Sequence, residues 1–101
     1  MTILNINKTQ AGTTLTVALE GRLDTTTAPQ LEGELRAAVK GIEELAFDLS
    51  QLDYISSAGL RVLLSAQKVM NRQGKMVIRN TKPEIMEIFD VTGFTDILNI
   101  E

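Results

Sequence analysis

A chain of 101 residues, 44% hydrophobic and 23% charged, has ordinary globular composition. Its length argues for one domain spanning 1–101, burying roughly 65% of its unfolded-chain surface and leaving little material for a deep cleft. There is no Cys, His or Trp, and ten basic residues stand against thirteen acidic ones for a net charge of -3.

Those absences exclude disulfides, thiolate nucleophiles, Cys-ligated metal clusters, Ser–His and Cys–His pairs, and imidazole metal ligands. Any enzyme chemistry would rest on carboxylate, Lys or Tyr groups. The acidic balance argues against nucleic-acid binding, and the basic residues are scattered, with no run exceeding Lys68 to Arg72. Met1-Thr2-Ile3-Leu4-Asn5 has no basic region ahead of an apolar stretch, so no signal peptide is predicted. No apolar run exceeds three residues, far short of a membrane span. A cytoplasmic location is expected.

Along the chain, residues 3–8 and 14–20 read as strands, with Leu15, Val17 and Leu19 alternating against Thr14, Thr16 and Ala18. Ala11-Gly12 suggests a short hairpin connection between them. Thr27-Ala28-Pro29-Gln30 fits a helix start in which Thr27 caps a first-turn amide and Gln30 reaches back. Ala28, Leu31, Leu35, Ala38 and Val39 then form one apolar stripe.

Leu45, Phe47 and Leu49 alternate again, predicting a strand over about 44–49. A second helix is predicted over 57–73, with Leu60, Leu63, Leu64 and Gln67 on one face. Val62, Ala66, Val69 and Met70 widen that apolar arc, and Gly74 is expected to end the helix in the left-handed conformation. Met76-Val77-Ile78 lacks alternation, as in a strand covered on both faces. Thr81-Lys82-Pro83-Glu84 repeats the capping pattern ahead of a third helix over about 82–92. Gly93 stops it, with Phe94 folding back on Phe89, and Asp96 to Ile100 reads as a short edge strand. The order β-β-α-β-α-β-α, with a possible final β, implies an α/β fold with a mixed four- to five-stranded sheet and helices packed on it.

Chemistry concentrates where the third strand meets the second helix, at Asp53-Tyr54-Ile55-Ser56-Ser57-Ala58-Gly59-Leu60. Two serines occupy the cap and first helical position. Serine is a preferred N-cap, worth about 1 kcal/mol over alanine, so capping alone accounts for one of them. The same helix end presents free amides and about half a positive charge, which suits an anion. A phosphate on Ser57 would add about -1.5 to -2 charges there without unfolding the domain, while changing the surface offered to a partner. Arg61, one turn on, is read either as that phosphate's partner or as a solvated helix residue. No Gly-rich loop with a Lys accompanies the site, so it is not a P-loop. Glu43-Glu44 and Glu84-Ile85-Met86-Glu87 pair carboxylates without a His or aromatic pocket and read as solvated faces. Thr25-Thr26-Thr27 reads as turn and cap residues with Asp24 capping the turn, or as phosphoacceptors or anion binders.

The stretch Phe47-Asp48-Leu49-Ser50-Gln51-Leu52-Asp53-Tyr54-Ile55-Ser56-Ser57-Ala58-Gly59-Leu60-Arg61-Val62-Leu63-Leu64 resembles the signature of STAS domains, above all bacterial anti-sigma-factor antagonists. Gly21-Arg22-Leu23-Asp24 resembles the family's element before its first helix, and Pro83 to Gly93, with Thr92-Gly93-Phe94, its C-terminal helix. The likeness covers nearly the whole chain in order and implies a single STAS domain.

The resemblance implies a non-enzymatic protein without cofactors that acts by partner switching. The unphosphorylated antagonist binds an anti-sigma factor that is also a GHKL-type serine kinase, freeing the sigma factor. Phosphorylation releases the antagonist, and a PP2C-type phosphatase restores it. By position Ser57 matches the phosphoacceptor, with Ser56 as second choice. Asp24, Thr25, Thr26, Ser56, Ser57, Ala58, Gly59 and Arg61 make up the implied partner surface. Ser56 stands where many members have Asp, Ala58 where Ser or Thr is common, and Arg61 where Gly is common. The alternative is a STAS accessory subunit of a lipid-transport ATPase or sensory complex, with no phosphoswitch and Ser57 only a cap. A small enzyme or nucleotide-binding protein would need a catalytic constellation, and the sequence offers none. Neither nucleic acid nor membrane insertion is expected.

Overall fold

The computed structural model describes residues 3–101. Met1 and Thr2, which open the stretch read above for a signal peptide, lie outside the described residues. β1 (Leu4–Ala11) and β2 (Thr14–Leu23) pair antiparallel around a two-residue turn, Gly12-Thr13, with Gly12 at φ +62°. Leu15, Val17 and Leu19 are buried while their alternates are half-buried, the pattern of a strand with one covered face. Then follow α1 (Ala28–Ala38), β3 (Glu44–Ile55), α2 (Ser57–Gln73), β4 (Lys75–Arg79) and α3 (Pro83–Thr92).

The sheet runs β1-β2-β3-β4, with β2, β3 and β4 mutually parallel. Both crossovers advance in the same direction along it, and such connections are right-handed, so α1 and α2 fall on the same face. A single buried cluster joins Val17, Phe47 and Ile78 of the sheet to Leu31, Leu63 and Phe89 of α1, α2 and α3. Ala46 and Val77 are buried outside that cluster, on the opposite face. Met76, Val77 and Ile78 are therefore all buried as expected, but the helices account only for Met76 and Ile78.

From β3 onward, four details differ from the sequence expectations. β3 continues to Ile55 instead of ending near 49, staying paired with β2 through two register shifts that each insert one extra residue opposite it. The bulges convert alternation into a three-residue spacing, so that Leu49, Leu52 and Ile55 are all buried. Gly74 is not left-handed: its φ is 173°, and a Cβ there would lie 1.8 Å from the Glu43 carbonyl oxygen. Close approach of two backbones, not a positive φ, requires glycine at this position.

At the start of α3 the N-cap is Lys82, with no side-chain cap, and the Thr81 hydroxyl is buried without a partner. Asp96 to Ile100 forms no strand. Phe94–Asp96 is a 3-10 turn, and only Ile100 bridges Ile78 in parallel. Gly93 does take the left-handed conformation, at φ +80°, with its N–H on the Phe89 and Asp90 carbonyls, and Phe94 packs against the core.

Candidate functional site at the carboxyl ends of the strands

Three loops meet where parallel strands end, the usual place for ligands and partners in such sheets. The β3–α2 junction is tied to β2 by the Ser56 N–H, which donates to the Leu23 carbonyl at 2.9 Å. Ser56 is extended, half-buried and acts as the N-cap, its Oγ accepting from the Gly59 N–H at 3.5 Å. Ser57 is the first helical residue and is exposed. Its position sets it against the free amides and partial positive charge of a 17-residue helix. Gly59 is buried, and a Cβ on it would meet Leu23 at 2.7 Å and Ile55 at 2.9 Å. It seats α2 on the ends of β2 and β3 and offers no side chain to a partner.

The β2–α1 loop is built around Asp24. Its Oδ1 accepts from the Thr26 N–H at 2.9 Å, the Thr26 hydroxyl at 2.7 Å and the Thr27 N–H at 3.2 Å. Asp24 thus caps the turn, as the sequence suggested. Thr27 does not cap through its side chain. Its buried hydroxyl donates to the Arg22 carbonyl at 2.8 Å and accepts from the Asp24 N–H at 2.9 Å, while Gln30 turns to Glu34. The expected reciprocal box gives way because Asp24 has already taken the Thr27 amide.

The hydrogen bond from the Thr26 hydroxyl, aided by the Thr26 and Thr27 amides, holds the Asp24 carboxyl below its ordinary pKa, against an opposing effect of burial. A depressed carboxyl stabilises the fold above the unfolded pKa, and that contribution is lost as pH falls through the folded value. In an NMR titration the Asp24 carboxyl and the Thr26 amide should therefore change together, below the ordinary aspartate midpoint. A midpoint at or above the ordinary value would disprove this role for the loop hydrogen bonds.

Thr25, Ala58 and Arg61, three of the sequence-predicted residues, line one groove with Glu32 and Val62 between the amino ends of α1 and α2. Arg61 and Thr25 are exposed, and Thr26 is exposed with its hydroxyl committed to Asp24. The third loop joins through Lys82, whose Nζ lies 2.7 Å from Asp53 Oδ1.

Sequence reasoning missed Arg22 and Tyr54. The Arg22 guanidinium lies 4.2 Å from the Tyr54 ring centre, a cation–π contact, with Nε 3.9 Å from Asp24 Oδ2. The available signal was positional, since each stands two residues before a singled-out residue, Asp24 or Ser56, and they pair across β2 and β3.

Among the described residues no cluster of three or more Asp or Glu is arranged to hold a metal, and no helix is long and apolar enough to cross a membrane. The arrangement offers an exposed hydroxyl at a helix amino end, beside a braced loop and a shallow groove. Such geometry suits a displayed modification site and a docking surface.

Comparison with known proteins follows the same lines. A family model described as the STAS domain matches residues 5–101. BtrV of Bordetella bronchiseptica, which is named as a candidate anti-sigma factor antagonist, is 44% identical over 88 residues, covering 85% of this chain and 76% of its own length. Among solved structures, an anti-sigma factor antagonist from Mycobacterium paratuberculosis superposes with a TM-score of 0.88 at 21% identity, covering 97% of this chain and 85% of that one. The Bacillus cell fate determinant SpoIIAA in its phosphorylated form gives a TM-score of 0.74 at 16% identity, covering 98% and 91%. Those two structural likenesses speak to the fold.

Proposed function

The chain belongs to the STAS domain family, and on that premise we propose that it is an anti-sigma-factor antagonist controlled by phosphorylation of Ser57. One observation carries the choice of residue. Ser57 is exposed at the first position of α2, whereas Ser56 is half-buried and occupied as the cap. A kinase reaches the first and meets the second only by dismantling the helix end.

In this reading the unphosphorylated chain, a single cytoplasmic domain, binds an anti-sigma factor that is a GHKL-type serine kinase, and the sigma factor is freed. The Asp24–Thr26 loop, Ser56 to Ala58 and Arg61 form the contact surface, with Gly59 setting its shape. Phosphate on Ser57 is accommodated by the helix amides and dipole, so the fold persists while the surface changes sign. A PP2C-type phosphatase returns the protein to its binding form. ATP and magnesium belong to the kinase, and the phosphatase brings its own metal. The 44% identity to a candidate antagonist and the phosphorylated form known for SpoIIAA support the reading.

The test uses a purified panel of the serine-kinase anti-sigma factors encoded in the source genome. Incubation with ATP should phosphorylate the chain, with mass spectrometry mapping the phosphate to Ser57 and Ser57→Ala abolishing it. Full modification of Ser57→Ala would reject the assignment. Capture of a transport ATPase in place of any kinase would favour the accessory-subunit alternative.

A further inference from the structure

The outward line of α2 carries a charge pattern that the proposed switch does not itself require. Ser57, Arg61, Ser65, Lys68 and Arg72 fall within an arc of about 80° on the helix, and of these Ser57, Arg61, Ser65, Lys68 and Arg72 are all exposed. α2 holds three of the chain's ten basic residues and none of its thirteen acidic ones, although the chain as a whole is acidic. No ion pair engages Arg61, Lys68 or Arg72 among the described residues, whereas on α1 Arg36 is paired with Glu32 at 3.2 Å.

Beside this line runs an apolar groove between α1 and α2, floored by Leu35, Val39, Val62, Ala66 and Val69 and edged by Ser65 on α2 and the mutually paired Glu32 and Arg36 on α1. Glu32 and Val62 also line the groove at Thr25, Ala58 and Arg61, so the two depressions adjoin along α1 and α2.

We propose that this basic line and its groove form a docking track for an acidic, amphipathic segment of the anti-sigma factor. The inference rests on the antagonist reading above and extends its contact surface about three turns along α2. Apolar side chains of the segment enter the groove and its carboxylates face Arg61, Lys68 and Arg72, giving an apolar centre with a charged rim. An anionic membrane or a nucleic acid would also meet the cations, but neither would fill an apolar furrow between two helices in a chain of net charge -3. The track also links binding to the switch. Phosphate on Ser57 sits at its head, one turn from Arg61, where it draws that guanidinium and repels an acidic segment.

The experiment measures association and dissociation with the panel member that binds the wild-type chain. Lys68→Glu/Arg72→Glu lies well beyond Ser57 and leaves the phosphoacceptor intact. Association should slow by about 10- to 100-fold at low salt and lose most of its salt dependence, with dissociation little changed. Val69→Ser should speed dissociation about 5-fold with association unchanged. Lys40→Glu, exposed but off the track, makes half the charge change of the double variant and calibrates the effect of net charge alone. Unchanged association in the double variant, or unchanged dissociation in Val69→Ser, overturns the track. A double variant that loses only binding to phosphatidylcholine–phosphatidylglycerol vesicles or to a single-stranded oligonucleotide overturns it equally. If no panel member binds the wild-type chain, the antagonist reading falls first and takes the track with it.

Discussion

Ser57→Asp should bind the anti-sigma factor at least about 30-fold more weakly than wild type while melting at the same temperature or slightly higher. The two halves of this expectation have separate causes. Burying a new carboxylate in a fitted interface costs ~2 kcal/mol or more, which sets the loss of affinity. Within the free protein the same charge faces the amino end of α2, where the dipole favours it by about 0.3–1 kcal/mol. Loss of binding without loss of stability separates a switch from a folding defect. Ser57→Ala should bind normally, because Ser56 and not Ser57 is the cap. Ser56→Ala loses a long cap contact of 3.5 Å and should cost about 0.5 kcal/mol, at the low end for such caps. Titration calorimetry with thermal melts on the four proteins checks the set, and undiminished affinity in Ser57→Asp would count against the switch.

Periodicity made the helices legible. α2 spans 57–73 as its apolar spacing predicted, and Ser56-Ser57 stand at the helix entrance as expected. What the sequence concealed was wherever a side chain had a choice of partners. Thr27 reads as a cap, yet Asp24 takes the amide first and leaves the Thr27 hydroxyl to lock the loop from beneath. Thr81 reads the same way and ends with a buried, unpartnered hydroxyl. The second half of β3 was illegible for a different reason, since its bulges place Leu49, Leu52 and Ile55 three apart, a spacing foreign to a regular strand. Tertiary pairing is equally invisible in the Arg22–Tyr54 stack, which exists only because β2 and β3 lie side by side in that register. The basic residues of α2 looked scattered in the sequence and became a line only once wound on a helix.

Gly74 and Gly33 are both helix-associated glycines, and alanine should affect them in opposite directions. Gly33 lies on the exposed side of α1, with nothing within 4 Å of where a Cβ would lie. Gly33→Ala removes unfolded-chain freedom at no steric cost and should stabilise by about 0.5–1 kcal/mol. At Gly74 the new Cβ would fall 1.8 Å from the Glu43 carbonyl oxygen and 2.6 Å from its carbon, with only backbone to displace. That backbone is itself held, because the Lys75 N–H donates to the same Glu43 oxygen at 2.9 Å and the Gly74 N–H to the Met70 carbonyl at 2.7 Å. Gln73 tightens the clamp, its Nε2 donating to the Val39 and Ile42 carbonyls at 2.7 and 2.6 Å. Relief requires moving the end of α2 away from the start of β3, so Gly74→Ala should cost about 3 kcal/mol, the upper range for overpacking. For a domain of this size the midpoint of thermal unfolding should fall by more than about 10 °C, while Gly33→Ala raises it by a few degrees. Because the carboxyl-end loops lie at the opposite end of α2, Gly74→Ala should still be phosphorylated on Ser57 at temperatures where it remains folded. A Gly74→Ala protein as stable as wild type would refute the clamp, and with it the reason this helix stops where it does.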